Sequence, residues 1–389
     1  MEDFVMAIKI GFIGCGGIAN QKHLPGMKQQ VDKGRVELVA FCDLIEERAQ
    51  KAAEKYGAPG AKVYTDYRDL LADPEIVAVH VLTPNISHCE ITVAALEAGK
   101  HVLCEKPMAA TEADAIKMIE ARDRTGKMLT IGYQYRHFNV NYVAKKVIDE
   151  GWIGDVYYAE ATLLRRRGVP TWGVFTDKSK QGGGPLIDIG THALDLALWM
   201  MNNYEVEYVV GTSFEVLGTL LDPDHQGQNN FRGDPDHWNN KTYDVEDAAV
   251  GQIKMKNGAV INLRASWAIN MAEDRGANGQ AHTMLAGTKG GLDTFTGQVR
   301  LNHIVGNEMA TTMVGRVIPN FLPGFSQGEA PLSKEHDIWV TALEANDPSK
   351  LFVTAEQAYT VTKILDSIYY SSKHNKPVYF GEDGRPIYD

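Results

Sequence analysis

One short run constrains the fold of this chain more than any other. Gly14-Cys15-Gly16-Gly17-Ile18-Ala19 spells G-x-G-x-x-A between a strand, Ile8 to Ile13, and a helix, Ile18 to Gln30. Glycines there let the backbone turn tightly and approach a pyrophosphate, while the helix N-terminus supplies N–H donors and positive potential. Around this turn the first third of the chain alternates apolar strands with amphipathic helices. Strands are expected at Val36 to Cys42, Val63 to Thr65, Val77 to Leu82, His101 to Cys104 and Leu129 to Gly132. Helices are expected at Glu46 to Tyr56, Ile91 to Ala98 and Thr111 to Thr125. Such alternation means βαβ units, a parallel sheet and right-handed crossovers that cover both of its faces.

After Tyr133 the pattern changes. Val156 to Leu164, Val206 to Phe214, Ala248 to Met255, Ala259 to Trp267 and Thr283 to Leu285 read as strands, most without helices between them. Asn257-Gly258 is a hairpin signal, since both turn residues tolerate positive φ. Leu217 to Tyr243 reads as a long polar loop, and helix returns at His336 to Ala345 and Ala355 to Tyr370. The fold class expected is α/β, a doubly wound parallel sheet followed by an α+β domain with a mostly antiparallel open sheet. The boundaries expected are 1–133 for a dinucleotide-binding domain and 134–389 for a substrate-binding and oligomerisation domain.

Composition excludes several other classes. A net charge of -11 argues against a nucleic-acid partner, which needs a basic face. No run approaches the roughly 20 apolar residues of a membrane span. The acidic start, Met1-Glu2-Asp3, is unlike a secretory signal. Cys15, Cys42, Cys89 and Cys104 show no C-x-x-C spacing, so neither a zinc knuckle nor a disulfide framework is indicated, and no metal-ligand cluster is evident. A cytoplasmic protein with reduced thiols is the expectation.

Candidate site residues gather at the ends of the expected strands. Asp43 ends the second strand, 24 positions beyond Ala19, where a carboxylate binds a ribose hydroxyl and repels a 2′-phosphate. With Leu44 and Ile45 following it, NAD is favoured over NADP. Arg48, one turn on, either faces the adenine or is a solvated helix residue. Thr83-Pro84-Asn85-Ile86-Ser87-His88 follows the fourth strand. Asn85 is placed to touch ribose or pyrophosphate, to cap the next helix, or both; His88 is a cofactor contact or a structural histidine. Glu105-Lys106-Pro107 follows the fifth strand. It is either a surface turn or the exit that aims a lysine ammonium into the ligand crevice. Later, Gly182-Gly183-Gly184-Pro185 leads into a segment in which Asp188 and His192 stand four apart, on one helical face. Alone, that pattern is equally a capped helix with a buried histidine.

Together these motifs resemble the Gfo/Idh/MocA oxidoreductases, in the family's order and over nearly the whole chain. They are the dinucleotide fingerprint, T-P-N-x-x-H, E-K-P, G-G-G-x-L-x-D-x-G-x-H and Gly287-Thr288-Lys289-Gly290. The resemblance implies a Rossmann domain, an antiparallel-sheet domain that often forms the oligomer interface, and hydride transfer between a nicotinamide and a sugar or cyclitol carbon. It implies a homo-oligomer, dimer or tetramer, and a polyol substrate. It also makes Lys106, Asp188 and His192 the working groups. Alcohol oxidation without a metal needs a base and a cation from the protein. His192 is assigned as base, Lys106 as the alkoxide-stabilising cation and Asp188 as the carboxylate that orients His192 or holds an adjacent hydroxyl, with Lys106 as the competing base.

Substrate contacts are expected from Tyr133-Gln134-Tyr135-Arg136 and from Arg165-Arg166-Arg167 with Trp172. The first segment is similar to the family's stretch beside the nicotinamide. The second, with Gly168 and Pro170, resembles members that oxidise glycosides at the third ring carbon. Each arginine is otherwise a surface residue. Two alternatives stand beside the dehydrogenase: a dinucleotide-binding sensor without turnover, and a redox-assisted glycosidase on the same fold.

Overall fold

The computed structural model describes residues 7–170, 172–218, 243–272, 280–314 and 331–388. The chain divides into two compact units, Met1–His137 with Ser326–Tyr359, and Phe138–Phe325 with Thr360–Asp389.

The first unit contains six parallel strands. They are β1 (Ile8–Ile13), β2 (Val36–Cys42), β3 (Lys62–Tyr64), β4 (Ala78–Val81), β5 (His101–Glu105) and β6 (Leu129–Gly132). Their order is β3-β2-β1-β4-β5-β6. Every residue of β4 and β5 is buried, as expected for parallel strands covered on both faces. The order reverses between β1 and β4, so the ligand crevice of such a sheet lies at the carboxyl ends of those two strands. Every expected strand and helix of this region is present. The helix after the glycine turn is wider at its start, a π-type turn over Ala19–His23, before Leu24–Asp32 continues it. Thr111 caps Glu112–Thr125 by accepting from the Asp114 N–H, and Gly126 ends that helix at φ +65°.

The second unit contains a ten-stranded sheet among the described residues. Its strands are β7 (Val156–Leu164), β8 (Val206–Phe214), β9 (Ala248–Met255), β10 (Val260–Ser266) and β11 (His282–Gly287). They continue with β12 (Gly290–Asp293), β13 (Val299–Val305), β14 (Glu308–Val314), β15 (Val378–Phe380) and β16 (Pro386–Ile387). The order is β14-β13-β12-β11-β7-β10-β9-β8-β15-β16. Only the β7–β10 pairing among these is parallel. Asn257-Gly258 turns β9 into β10 with Gly258 at φ +92°, as its sequence implies.

Three departures from the sequence reading are informative. The segment 134–389 is not one unit: the helix Pro331–Ala345 belongs to the first, where Trp339 and Val340 join the core of Phe12, Met27 and Leu38. Arg35 fastens it with bonds to Asp337 (2.7 Å), Thr341 (2.9 Å) and Glu344 (2.6 Å). Strands β13 and β14 go unread, and β14 is almost wholly exposed and carries no apolar alternation. The helix Asn139–Asp149 also goes unread, although it buries Val143, Ala144 and Val147 on one face. Of the expected loop Leu217 to Tyr243, residues 219–242 lie outside the described residues.

Candidate functional site

The glycine turn is built for close approach. Gly14 stands at φ +95° and its N–H donates to the Cys42 carbonyl at 2.8 Å, bringing β1 against the end of β2. A Cβ at Gly14 would lie 2.5 Å from the Leu82 carbonyl, beyond the end of β4, so only glycine fits. At Gly16 a Cβ would meet nothing within 4 Å, and at Gly17 only the Gln21 amide at 4.0 Å. Protein packing therefore does not require these two glycines, and the open space at Gly16 leaves room for a pyrophosphate against the backbone. Ile18 and Ala19 follow in the opening turn, and the Asn20 amide fastens it by donating to the Cys15 (2.7 Å) and Gly16 (3.0 Å) carbonyls. Asp43 is half-buried; its carboxylate accepts from the Cys15 N–H and the Ile45 N–H, both at 2.9 Å. It thus joins β2 to the turn, and each oxygen keeps a lone pair for a ribose hydroxyl. Arg48 is exposed on the helix Glu46–Tyr56. These residues fit a dinucleotide: turn, helix start and carboxylate stand where its phosphates and ribose need them.

The turns after β4 and β5 are stapled by His88. Its ring is fully buried, with Nδ1 2.8 Å from the Pro107 carbonyl and Nε2 2.8 Å from the Thr83 carbonyl. No ring nitrogen is left for a cofactor, so His88 is a structural link between the two motifs and not a cofactor contact. A neutral imidazole donates to one of those carbonyls at a time. Burial lowers its pKa, against the pull of both carbonyls. The helix His88–Glu97 starts without a side-chain cap from Ser87. Ser87 instead braces the turn, donating to the Pro84 carbonyl (2.7 Å) with its Oγ 2.8 Å from Thr83 Oγ1.

Lys106 leaves the end of β5 half-buried, before a cis Lys106–Pro107 peptide. Its N–H donates to Glu105 Oε2 at 2.9 Å, and Glu105 Oε1 lies 2.9 Å from His23 Nε2. Both Glu105 oxygens thus help to hold the turn, which makes Glu105 a positioning residue for Lys106. Burial pushes the Glu105 carboxyl up, but His23, Lys106 and Lys22 outweigh it and leave its pKa below the ordinary value. Past β6, Tyr133 and Arg136 are fully buried, and the Arg136 guanidinium binds Gln357 Oε1 at 2.7 Å. Tyr133 is therefore core and not substrate surface; Gln134 accepts from Lys22 Nζ at 3.3 Å, and Tyr135 stays half-exposed.

The second unit carries the other candidate set. Leu186–Gly190 forms a π-type turn that runs into the helix Thr191–Met201, so Asp188 and His192 lie on one continuous helical segment. Asp188 is half-buried and Oδ2 accepts from Trp267 Nε1 at 3.1 Å, while His192 is buried. Trp267 packs edge-on to Phe175 (6.4 Å), which packs on the exposed Trp172 (5.9 Å). A chain of packed rings thus links exposed Trp172 to the Asp188 carboxylate. The three arginines separate in role. Arg167 pins its own strand end, donating to Asn270 Oδ1 (2.6 Å); Arg166 is exposed, and Arg165 is half-buried with Nη1 3.4 Å from the Gly168 carbonyl.

Sequence reasoning missed Glu246. Its carboxylate is buried and accepts from the Gly184 N–H (2.9 Å), the Leu186 N–H (3.0 Å) and the Tyr369 hydroxyl (2.8 Å). It clamps the glycine segment immediately before Asp188, and a Cβ at Gly184 would lie 2.2 Å from its carbonyl. Burial raises the Glu246 pKa against those three donors. An acidic pair before a strand, Glu246-Asp247, was the only signal in the sequence. The expectation of no metal-ligand cluster also needs correcting: His23, His80 and His336 come together, fully buried, in the first unit. His23 and His336 are 313 positions apart, beyond any spacing rule.

Residues 8–133 match the family described as "Oxidoreductase family, NAD-binding Rossmann fold", and residues 143–293 match the "GFO/IDH/MocA C-terminal domain". A D-glucoside 3-dehydrogenase of Escherichia coli (strain K12) is 32% identical over 366 residues, 94% of this chain and 95% of that protein. An inositol 2-dehydrogenase of Salmonella typhimurium (strain LT2) is 36% identical over 222 residues, 56% of this chain and 62% of that protein. Among solved structures, an oxidoreductase domain protein from Kribbella flavida superposes with a TM-score of 0.78 at 24% identity, covering 97% of this chain and 100% of its own. A levoglucosan dehydrogenase in complex with NADH and levoglucosan gives 0.76 at 24% identity, covering 96% and 99%. At that identity the two structures establish the shared fold.

Proposed function

The chain belongs to the Gfo/Idh/MocA oxidoreductase family, and from that premise we propose that it oxidises a secondary hydroxyl of a sugar glycoside with NAD. The observation that carries the reading is the Asp188–His192 helix, clamped by Glu246 and linked to exposed Trp172 through Phe175 and Trp267. A carboxylate and an imidazole beside aromatic faces suit a polyol, which offers hydroxyls at its edge and C–H groups on its faces. A glycoside is favoured over a free cyclitol because the relative named for glucosides aligns along 94% of the chain, against 56% for the inositol dehydrogenase.

The bound nicotinamide supplies the hydride acceptor. His192 takes the proton from the reacting hydroxyl, and Asp188 orients the imidazole or holds an adjacent hydroxyl. Lys106 sets its ammonium against the developing alkoxide, its backbone fixed through Glu105 and His23. Asp43 supports NAD over NADP, because its half-buried carboxylate repels a 2′-phosphate. A homo-oligomer through the ten-stranded sheet is supported by exposed Tyr157, Val250, Met309 and Tyr379 on its strands. The described residues contain no helix long and apolar enough to cross a membrane. All four cysteines are free and buried, which supports the cytoplasm as the working compartment.

A panel of glycosides, aldoses and cyclitols with NAD and NADP, read by nicotinamide absorbance, tests this. Glycoside-dependent NADH formation is expected. In His192→Ala turnover drops by about two to four orders of magnitude, the usual worth of a general base, with NAD affinity kept. Near-normal turnover in that variant removes His192 from the mechanism. Reduced nicotinamide with no substrate of the panel refutes the dehydrogenase reading in favour of a sensor, and aglycone release without net NADH refutes it in favour of a glycosidase.

A further inference from the structure

Three histidines from separate elements meet in the core of the first unit. His23 ends the opening turn of the first helix, His80 lies on β4, and His336 lies on the helix Pro331–Ala345. Each ring is fully buried, and one nitrogen from each lies within 4.8 Å of the other two. His23 Nδ1 is 3.1 Å from His336 Nε2. Among the described residues both nitrogens of His80 and Nδ1 of His336 have no hydrogen-bond partner.

We propose that His23, His80 and His336 bind one divalent transition-metal ion of the zinc class, with Glu105 as the carboxylate behind His23. Three features point to an ion. Two buried nitrogens on one unpartnered imidazole are an uncompensated polar burial that a phenylalanine, packed as His80 is against Phe12 at 4.7 Å, would avoid. A metal would engage one of those two nitrogens. The His23–His336 separation already approaches the spacing of two ligands on a tetrahedral zinc, about 3.3 Å for zinc–nitrogen bonds of about 2.0–2.1 Å. Finally, Glu105 Oε1 sits 2.9 Å from His23 Nε2, which puts the proton on that nitrogen and leaves Nδ1 as a lone-pair donor. Carboxylate–histidine–metal is the usual outer arrangement of such ligands.

Binding replaces the His23–His336 hydrogen bond. The His336 proton moves to its Nδ1, and His80, which no hydrogen bond restrains, turns to close the third side. Water takes the fourth position, as in three-histidine sites. The ion would tie the glycine-turn helix, the β4 strand beside the topological switch and the helix Pro331–Ala345 into one body. Through Glu105 it would steady the backbone of Lys106. With the rings fully buried, the metal enters as the chain folds.

The full-length protein, produced with zinc in the medium and purified without chelator, is assayed by elemental analysis. The same is done after unfolding and refolding with zinc, cobalt or nickel. Close to one ion per chain is expected, with a tetrahedral cobalt spectrum after cobalt refolding. His80→Phe and His336→Phe, each checked for folding by circular dichroism, should reduce the bound metal at least tenfold. Folded wild-type protein that takes up none of the three ions overturns the proposal and leaves the trio a neutral hydrogen-bonded cluster. Full metal retention in either folded variant also overturns it, by placing the ion elsewhere. No turnover enters the readout, so the result stands apart from the dehydrogenase assignment.

Discussion

Replacing Glu246 with glutamine isolates what a single buried carboxylate does for the Asp188–His192 segment. In the native protein Oε1 accepts from Leu186 N–H and the Tyr369 hydroxyl, and Oε2 from Gly184 N–H. Glutamine keeps the shape. In its better orientation the amide oxygen serves Leu186 and Tyr369, and the amide NH2 faces the Gly184 N–H, donor against donor. One charge-assisted bond is lost, worth about 1.5–3 kcal/mol, and the other two fall toward neutral strength. Against this, the native carboxylate carries a burial penalty, visible as its raised pKa, which the amide escapes. A net loss of about 2 kcal/mol follows, or about 4–8 °C in Tm for a unit of this size. The Asp188 N–H donates to the Gly184 carbonyl at 3.0 Å, so a shift at Gly184 moves Asp188. Displacement by about an ångström costs up to 100-fold in turnover while leaving NAD affinity unchanged. Differential scanning calorimetry and steady-state NADH formation measure both effects. A Glu246→Gln protein with native Tm and native kcat would refute the clamp.

Two further outcomes are expected. Asp43→Asn should lower the NAD-over-NADP preference in kcat/KM at least about tenfold, equivalent to about 1.4 kcal/mol, and an unchanged ratio would show that Asp43 only holds the glycine turn. Stability should fall as pH drops below about 6.5, because burial lowers the pKa of His88 and His282, of His101 to about 4 and of His137 to about 3. The unfolded chain then takes up protons that the folded chain refuses, so the contribution is full above pH 6.5 and shrinks below it. His137 alone amounts to about 2 kcal/mol at pH 5. The raised carboxyls of Glu246 and Glu335 act in the opposite sense. Urea midpoints equal at pH 7 and pH 5 would contradict this balance.

The sequence by itself determined whatever depends on neighbours along the chain. The inner strands of the first sheet were legible because parallel strands buried on both faces leave near-continuous apolar runs. Gly14 was legible because a tight turn between strand and helix demands glycine, and Asn257-Gly258 because a hairpin demands positive φ. Lys106, Asp188 and His192 stood inside local motifs and could be named from them.

What depends on distant segments meeting was decided only by the tertiary structure. Glu246 is one acidic residue among many until the fold sets Gly184, Leu186 and Tyr369 around it. His88 offered two roles in sequence, and the carbonyls of Thr83 and Pro107 chose between them. The return of the helix Pro331–Ala345 to the first unit carries His336 to His23 across 313 positions. Periodicity reports which face of an element is buried, and only packing reports what that face is buried against.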